Sequence, residues 1–578
     1  MSTRRLAAGL AASLCALALT PAATAQATPS WKAEACSGAT APLSIVAFND
    51  FHGRVATSRP DTVAFFGTVE QQRAQAGEKN TLLVSSGDNI GASLFASALQ
   101  DDNPTLDMMN AMDVDTSAVG NHELDKGWTD FTGRVEKRAE FPYLAANLFL
   151  KGTTAPAAQQ YTIVERNGLK VAVIGAITSD LKSLVSPTVF EKVDLGDPVA
   201  AVNKAADELT DGNAANGEAD VVVASYHDGS NVSEPKALDE ALAYENFNQI
   251  VTRTSPKVAA ILNAHTHQTY AYNAPIAGTD RTRPVLQSAS YGSLVGRIDL
   301  VVDAQKAVRP GDNKGKGKGA VKDPGTAGTI CSASAQNVKV LASDQVPSLV
   351  AQYPRVAEVQ KITTKALADA QVIGARVVAK APEALLRTVP VDASGNTTVA
   401  SLSDVAAQMF HDTLAAGKPN VIGIQNPGGT RADLNAGDIT YADAAAVLPF
   451  ANSLMTTQLT GTQVRAMLEQ QWQPGTTAGA PTRFLKLGVS DNLQYTHDDT
   501  RPAGSRIIDV TVEGKPLDPT GVYTMASGNF LISGGDNFSV LAQGTDKRDT
   551  GASDLAAWID WLTAEQTIVA GEPRQARA

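Results

Sequence analysis

Short, largely apolar runs punctuate the chain between Leu43 and about Val340. The clearest are residues 43–48, 81–85, 171–177, 221–225 and 258–262. They are too short for helices and apolar at nearly every position, as strands buried on both faces are. Stretches with helical spacing, such as residues 198–210, lie between several of them, which predicts an α/β fold. In residues 346–370 the apolar positions Leu349, Val350, Tyr353, Val356, Val359 and Ile362 repeat at helical spacing. This predicts a single helix joining two domains. From about residue 371 to 562 a second α/β unit is expected, with strands near 421–424 and 522–526. The expected boundaries are 42–340 for the first domain, 345–372 for the linking helix and 373–565 for the second domain. Residues 309–328, rich in Lys, Gly, Asp and Pro, read as a surface loop. The basic run Lys314, Lys316, Lys318 reads as solvated.

The start of the chain changes the setting. Arg4 and Arg5 precede an apolar run over residues 6–19, and Ala23-Thr24-Ala25 or Ala25-Gln26-Ala27 then offers a small-residue cleavage site. This is the pattern of an export signal over residues 1–27. A membrane span needs about twenty apolar residues, more than this run holds. A lipoprotein reading of Cys15 fails because bulky Leu14 precedes it. The mature chain is expected to be released outside the cytoplasm, with no membrane span. Cys36 and Cys331 are then its only cysteines, and in an oxidising compartment they most simply form one disulfide.

Net charge is −12, and −14 once the two signal arginines are removed. That balance argues against a nucleic-acid polymer or an anionic membrane as partner. An anionic substrate needs local positive charge, from metal ions or a few placed arginines.

Five of the seven histidines sit directly after a predicted strand or in a Gly-rich turn. The segments are Asp50-Phe51-His52-Gly53, Gly120-Asn121-His122-Glu123-Leu124-Asp125, His227-Asp228 and His265-Thr266-His267, with Gly87-Asp88 after another strand. In open α/β sheets, loops beyond the carboxyl ends of strands converge on functional sites. Carboxylate, amide and imidazole together suit Zn²⁺ or Mn²⁺ rather than a thiolate site. Two such ions can clamp a phosphate and activate water. His411 and His497 lack this setting and read as ordinary side chains.

In order and spacing, Asp50-x-His52, Gly87-Asp88, Gly120-Asn121-His122-Glu123, His227 and His265-x-His267 resemble the calcineurin-like metallophosphoesterases. The resemblance implies a two-sheet sandwich flanked by helices, and two divalent metal ions. Asp50, His52, Asp88 and His267 would bind one ion. Asp88, Asn121, His227 and His265 would bind the other, so Asp88 bridges. His122 with Asp125 resembles the family's catalytic dyad.

In the second half, Asn426-Pro427-Gly428-Gly429-Thr430-Arg431, Leu448-Pro449-Phe450 and Asn529-Phe530 through Gly534-Gly535-Asp536 resemble the C-terminal domain of 5′-nucleotidases. That match implies a smaller α/β nucleotide-binding domain in which Phe450 and Phe530 stack a base. Asp536 would bind ribose, and Asn426 and Arg431 would meet phosphate or sugar. Leu402-Ser403-Asp404 departs from the family, which usually shows Leu-Gly-Asn preceded by an arginine. Arg387 lies too far upstream to replace it, so one cation is missing and Asp404 is expected to oppose phosphate. The expected activity is phosphate release from nucleotides. Alternatives on the same scaffold are 2′,3′-cyclic nucleotide phosphodiesterase and nucleotide-sugar hydrolase. A non-catalytic nucleotide-binding protein is the reading of another class.

Overall fold

The computed structural model describes residue 36 and residues 39–58, 61–185, 187–213, 215, 217–232, 234–303, 330–393, 395–450, 452–473 and 483–577 of the 578. All of these belong to one compact unit. The expected signal over 1–27 and loop over 309–328 lie outside them.

The first half runs β1 (Thr40–Phe48), α1 (Thr62–Ala76), β2 (Thr81–Ser85), α2 (Asn103–Ala111), β3 (Thr116–Ala118) and β4 (Tyr143–Leu144). It continues with β5 (Tyr161–Arg166), β6 (Leu169–Ile177), α3 (Pro198–Glu208), β7 (Val221–His227), α4 (Glu245–Arg253) and β8 (Val258–Asn263). β9 (Thr269–Pro275), β10 (Thr282–Ser288), β11 (Leu294–Asp303) and β12 (Ile330–Lys339) complete it. Two six-stranded mixed sheets result, in the orders β12-β11-β1-β2-β3-β4 and β9-β10-β8-β7-β6-β5.

The apolar runs have a direct reason. In β1, Leu43, Ile45 and Ala47 face the other sheet, while Val46 and Phe48 pack with α1 on the outer face. In β6, Val171 and Val173 point inward, while Ala172 and Ile174 pack with α3 and α4. A strand covered on both faces is apolar at nearly every position. β1, β2 and β3 run parallel, as do β6, β7 and β8. Their carboxyl ends therefore meet at one rim of the sandwich. A disulfide joins Cys36 to Cys331 on β12, with Cα atoms 5.6 Å apart.

The linking segment corrects the single-helix expectation. It is two helices, α5 (Val346–Gln352) and α6 (Pro354–Gly374). Pro354 has no N–H to continue α5 and drives the preceding residue out of helical space; Tyr353 is extended, at φ −119° and ψ 111°. α6 packs along α1 and α2.

The second half contains α7 (Leu402–Ala415), β13 (Val421–Gln425), α8 (Tyr441–Val447), β14 (Ser453–Thr460), β15 (Gly488–Val489), β16 (Val522–Gly528), β17 (Thr545–Ser553) and α9 (Asp554–Glu565). Its main sheet has the order β15-β13-β16-β14-β17, with β17 at one edge. β13 and β16 are parallel, and β14 runs against β16. The carboxyl ends of β13 and β16, the start of β14 and the end of β17 thus share one end of this sheet.

Candidate metal centre and substrate cleft

The loops after β1, β2, β3 and β8 and the last residue of β7 carry every ligand expected from the sequence. Asp50, His52, Asp88, His265 and His267 all have φ between +49° and +69°. Non-glycine residues in that region are uncommon and strained, and they collect at functional sites. Two glycines let the loops meet. A Cβ on Gly87 would lie 2.7 Å from His227 Nδ1, and one on Gly120 would fall on the Asp88 carboxylate.

The donor atoms of Asp50, His52 and His267 lie within 4.8 Å of one another, and so do those of Asp88, His227 and His265. Asp88 Oδ2 is 3.1 Å from His227 Nε2 and 3.9 Å from His52 Nε2, so one carboxylate faces both groups. Asn121 Oδ1 is 3.1 Å from His227 Nε2. Ligands bound about 2.0–2.2 Å from a common ion lie at such spacings, and the oxygen and imidazole donors suit a divalent metal. Burial pushes the Asp88 carboxyl up, but the imidazoles around it, His227 first, outweigh this and hold it well below the usual range. Burial takes His52 down to about 3 and His265 to about 4, which keeps their lone pairs free for a cation.

His122 lies at the edge of this group. Its Nδ1 is 2.9 Å from Asp125 Oδ2, and its backbone N–H donates to Asp88 Oδ1 at 2.9 Å. Burial works against the charged imidazole, yet Asp125 and then Asp88 raise it well above its ordinary value. The side chain also comes within 4.8 Å of the His52 and Asp88 donors.

Sequence reasoning gave Glu123 no task. Its buried carboxylate accepts the backbone N–H groups of Asp88, Asn89 and Gly120 and so fixes the β2 loop against the β3 loop. It was visible only as the last residue of Gly-Asn-His-Glu. Tyr291 was also missed: its ring packs 5.4 Å from His52 and 5.1 Å from His267, with the Arg54 guanidinium 3.8 Å over it. No local pattern marks it, because it sits on a turn far along the chain.

In the second half, Asn426, Arg431 and Phe530 stand beyond the carboxyl ends of β13 and β16, and Phe450 precedes β14. Asn426 Nδ2 donates to Asp536 Oδ2 at 2.7 Å, and the Arg431 guanidinium lies 5.6 Å over the Phe450 ring. Phe450 and Phe530 are each 49% exposed, unusual for two large apolar rings at one end of a sheet. Asp404 differs from expectation. It is 2% exposed, closes a capping box with Ser401 at the start of α7 and accepts the Val489 N–H. It is committed to the fold rather than turned against a phosphate. Arg387 is held by Asp433. Neither His411, which pairs with Asp412, nor His497, which pairs with Asp499, belongs to the metal-binding groups.

The calcineurin-like phosphoesterase family model matches residues 43–269, and the model of the 5′-nucleotidase C-terminal domain matches residues 361–543. The chain belongs to the 5′-nucleotidase family. As a 5′-nucleotidase family protein with this ligand set it is a metal-dependent nucleotide phosphohydrolase. The cyclic-nucleotide, nucleotide-sugar and non-catalytic alternatives are not favoured. Endonuclease YhcR of Bacillus subtilis (strain 168) is 25% identical over 553 residues, covering 90% of this chain and 39% of YhcR. The 5′-nucleotidase of Vibrio vulnificus (strain CMCP6) is 24% identical over 569 residues, covering 94% of this chain and 93% of that enzyme. The structure of the Haemophilus influenzae NAD nucleotidase NadN shares the fold, with a TM-score of 0.64, 18% identity and coverage of 93% of this chain and all of that one. Among the described residues no helix is long and apolar enough to cross a membrane.

Proposed function

We propose that this enzyme releases phosphate from nucleoside 5′-monophosphates. The phosphate sits on the metals of the first domain and the base between Phe450 and Phe530 of the second. The observation that carries this reading is a contact. Gly551, at the clamp end of the second sheet, lies against Asp125 of the first domain. In this reading the phosphate at the metal rim and the base at the aromatic end belong to one small molecule.

Asp50, His52, Asp88 and His267 would hold one divalent ion, Zn²⁺ or Mn²⁺, and Asp88, Asn121, His227 and His265 would hold another. When bound they neutralise phosphate charge and activate water. We assign His122 to the chemistry rather than to a metal, with Asp125 engaging its Nδ1. As water oxygen joins phosphorus and the bond to the 5′-oxygen breaks, His122 Nε2 passes its proton to that leaving oxygen. Asp125 fixes the ring for that transfer. Asp536, aligned by Asn426, accepts from ribose hydroxyls, and Arg431 meets the substrate's anionic or sugar oxygens. The domains are placed at residues 42–340 and 373–565, with the joint at 345–372. The export pattern over residues 1–27 and the disulfide support work outside the cytoplasm. A nucleic-acid polymer is not the substrate of this reading.

Phosphate release from AMP, UMP, ADP, UDP-glucose, 2′,3′-cyclic AMP and a single-stranded DNA, before and after chelation, tests it. AMP or UMP should lead, and chelation should abolish every rate. Phe450→Ala or Phe530→Ala should lower kcat/KM for AMP by roughly ten- to a hundred-fold, since stacking contributes about 1–3 kcal/mol per base in nucleic-acid sites. An aryl phosphate, with no nucleoside to stack, should change much less. Equal losses on both would remove the clamp from the reading.

A further inference from the structure

The second domain reaches the dyad as well as the base. β17 pairs with β14 so that Met455 faces Asp549 and Ser453 faces Ser553, which leaves Thr550, Gly551 and Ala552 opposite Leu454 alone. Such a bulge re-aims a strand, and bulges concentrate next to active sites. This one is tied down at its base. Ser453 Oγ donates to Asp549 Oδ2 at 2.5 Å, the Gly551 N–H donates to Asp549 Oδ1 at 2.9 Å, and Thr550 Oγ1 donates to the Leu454 carbonyl at 3.0 Å. What it projects is Gly551, at φ +71°, where a Cβ would lie 3.2 Å from Asp125 Oδ1 and 3.4 Å from Asp125 Cα.

The opposite side of the same carboxylate has a matching feature. Gly91, at φ +73°, comes so close that its Cβ would lie 2.5 Å from Asp125 Oδ2 and 2.7 Å from His122 Cβ. Asp125 is therefore held between two left-handed glycines, one from each domain.

We propose that the Asp549–Gly551 bulge is a positioning element of the second domain that completes the His122–Asp125 dyad by seating Gly551 on Asp125. This rests on the dyad role given above. The imidazole is aimed at the leaving oxygen only while the two domains are docked, so a substrate that bridges them also sets its own proton donor. A displacement near 1 Å costs up to about a hundred-fold in rate at such sites. The loss falls on substrates whose leaving oxygen needs a proton and spares those whose leaving group departs as a stable anion.

Glycerol phosphate and p-nitrophenyl phosphate separate these cases, since neither carries a base for the clamp. Gly551→Ala should lower kcat on glycerol phosphate by roughly ten- to a hundred-fold, with metal content retained and p-nitrophenyl phosphate changed less than about three-fold. Gly514→Ala is the control. It has the same left-handed backbone, at φ +72°, with nothing within 4 Å of the added carbon, and should leave both rates unchanged. Should Gly551→Ala fail to fold, Asp549→Ala, which unties the bulge, should show the same split, and Asp549→Asn should restore most of the rate. Equal losses on both substrates, or an undiminished glycerol phosphate rate, would overturn the proposal. His122→Ala run alongside keeps the failures apart. If it shows the split and the bulge variants do not, only this inference falls. If it does not, the dyad role falls and this inference with it.

Discussion

Asp88 and His122 stand next to each other in the site, joined by a backbone hydrogen bond, yet their losses should read differently. Asp88→Ala removes the carboxylate that faces both donor groups and should abolish metal binding, measured as metal content of the purified protein. His122→Ala should retain metal while turnover falls roughly 10²–10⁴-fold, the scale of a lost general acid. Metal-free His122→Ala protein would contradict that assignment. A second residue-scale effect lies behind the clamp. Asp554 is buried, accepts from Asn452 Nδ2, leaves Oδ1 without a partner among the described residues, and is pushed up to about 7 by its burial. A carboxyl whose folded value exceeds its unfolded one near 3.8 destabilises the fold above about 7, and the penalty vanishes below about 4. The melting temperature of Asp554→Asn relative to the native chain should therefore climb between pH 5 and pH 8, by the equivalent of a few kcal/mol. A difference flat with pH would exclude the effect.

Elements were legible from sequence where burial leaves a period and illegible where it does not. The strands covered on both faces announced themselves as apolar runs, and their carboxyl ends then pointed to Asp50, Asp88, His227 and His265, whereas Asn121 follows the short, polar β3 and stood out only through its Gly-rich turn. The break at Tyr353 was also within reach, because Pro354 stands inside the helical pattern. Asp404 could have been read as the last member of Ser401-x-x-Asp404, a helix-start signature. The contacts that fix α6 left no such trace. Arg355 at its start is bound by Glu70, Glu78 and Asp113, which come from three separate segments. The left-handed ligands were equally hidden, since only coordinates reveal φ. Two of the three acids around Arg355 are exposed, so Arg355→Ala should cost only about 1–2 kcal/mol. That should appear as a melting temperature lower by a few degrees, with AMP hydrolysis retained. A larger activity loss than stability loss would mean that α6 transmits more than its own packing.

Across the whole molecule, the candidate metal ligands lie in the first half and the exposed Phe450 and Phe530 rings in the second, so the proposed activity draws on both. Sequence placed the two sets of residues on separate halves but had no means to show which edge of the second sheet would meet the dyad. That depends on the bulge in β17, where a change of register is invisible in composition.

The chain order of the strands carries a kinetic consequence. Asp50 and His265, which share a hydrogen bond at the metal centre, are 215 residues apart, and the disulfide closes a separation of 295. Pairings of that span form slowly, because loop closure precedes any contact that rewards it. β1 has its antiparallel neighbour in β11, so even the centre of the first sheet waits for chain made long after it. Metal uptake by the full set of candidate ligands should thus be a late folding event, and an ion held there would mark a first domain whose two sheets have already closed on each other.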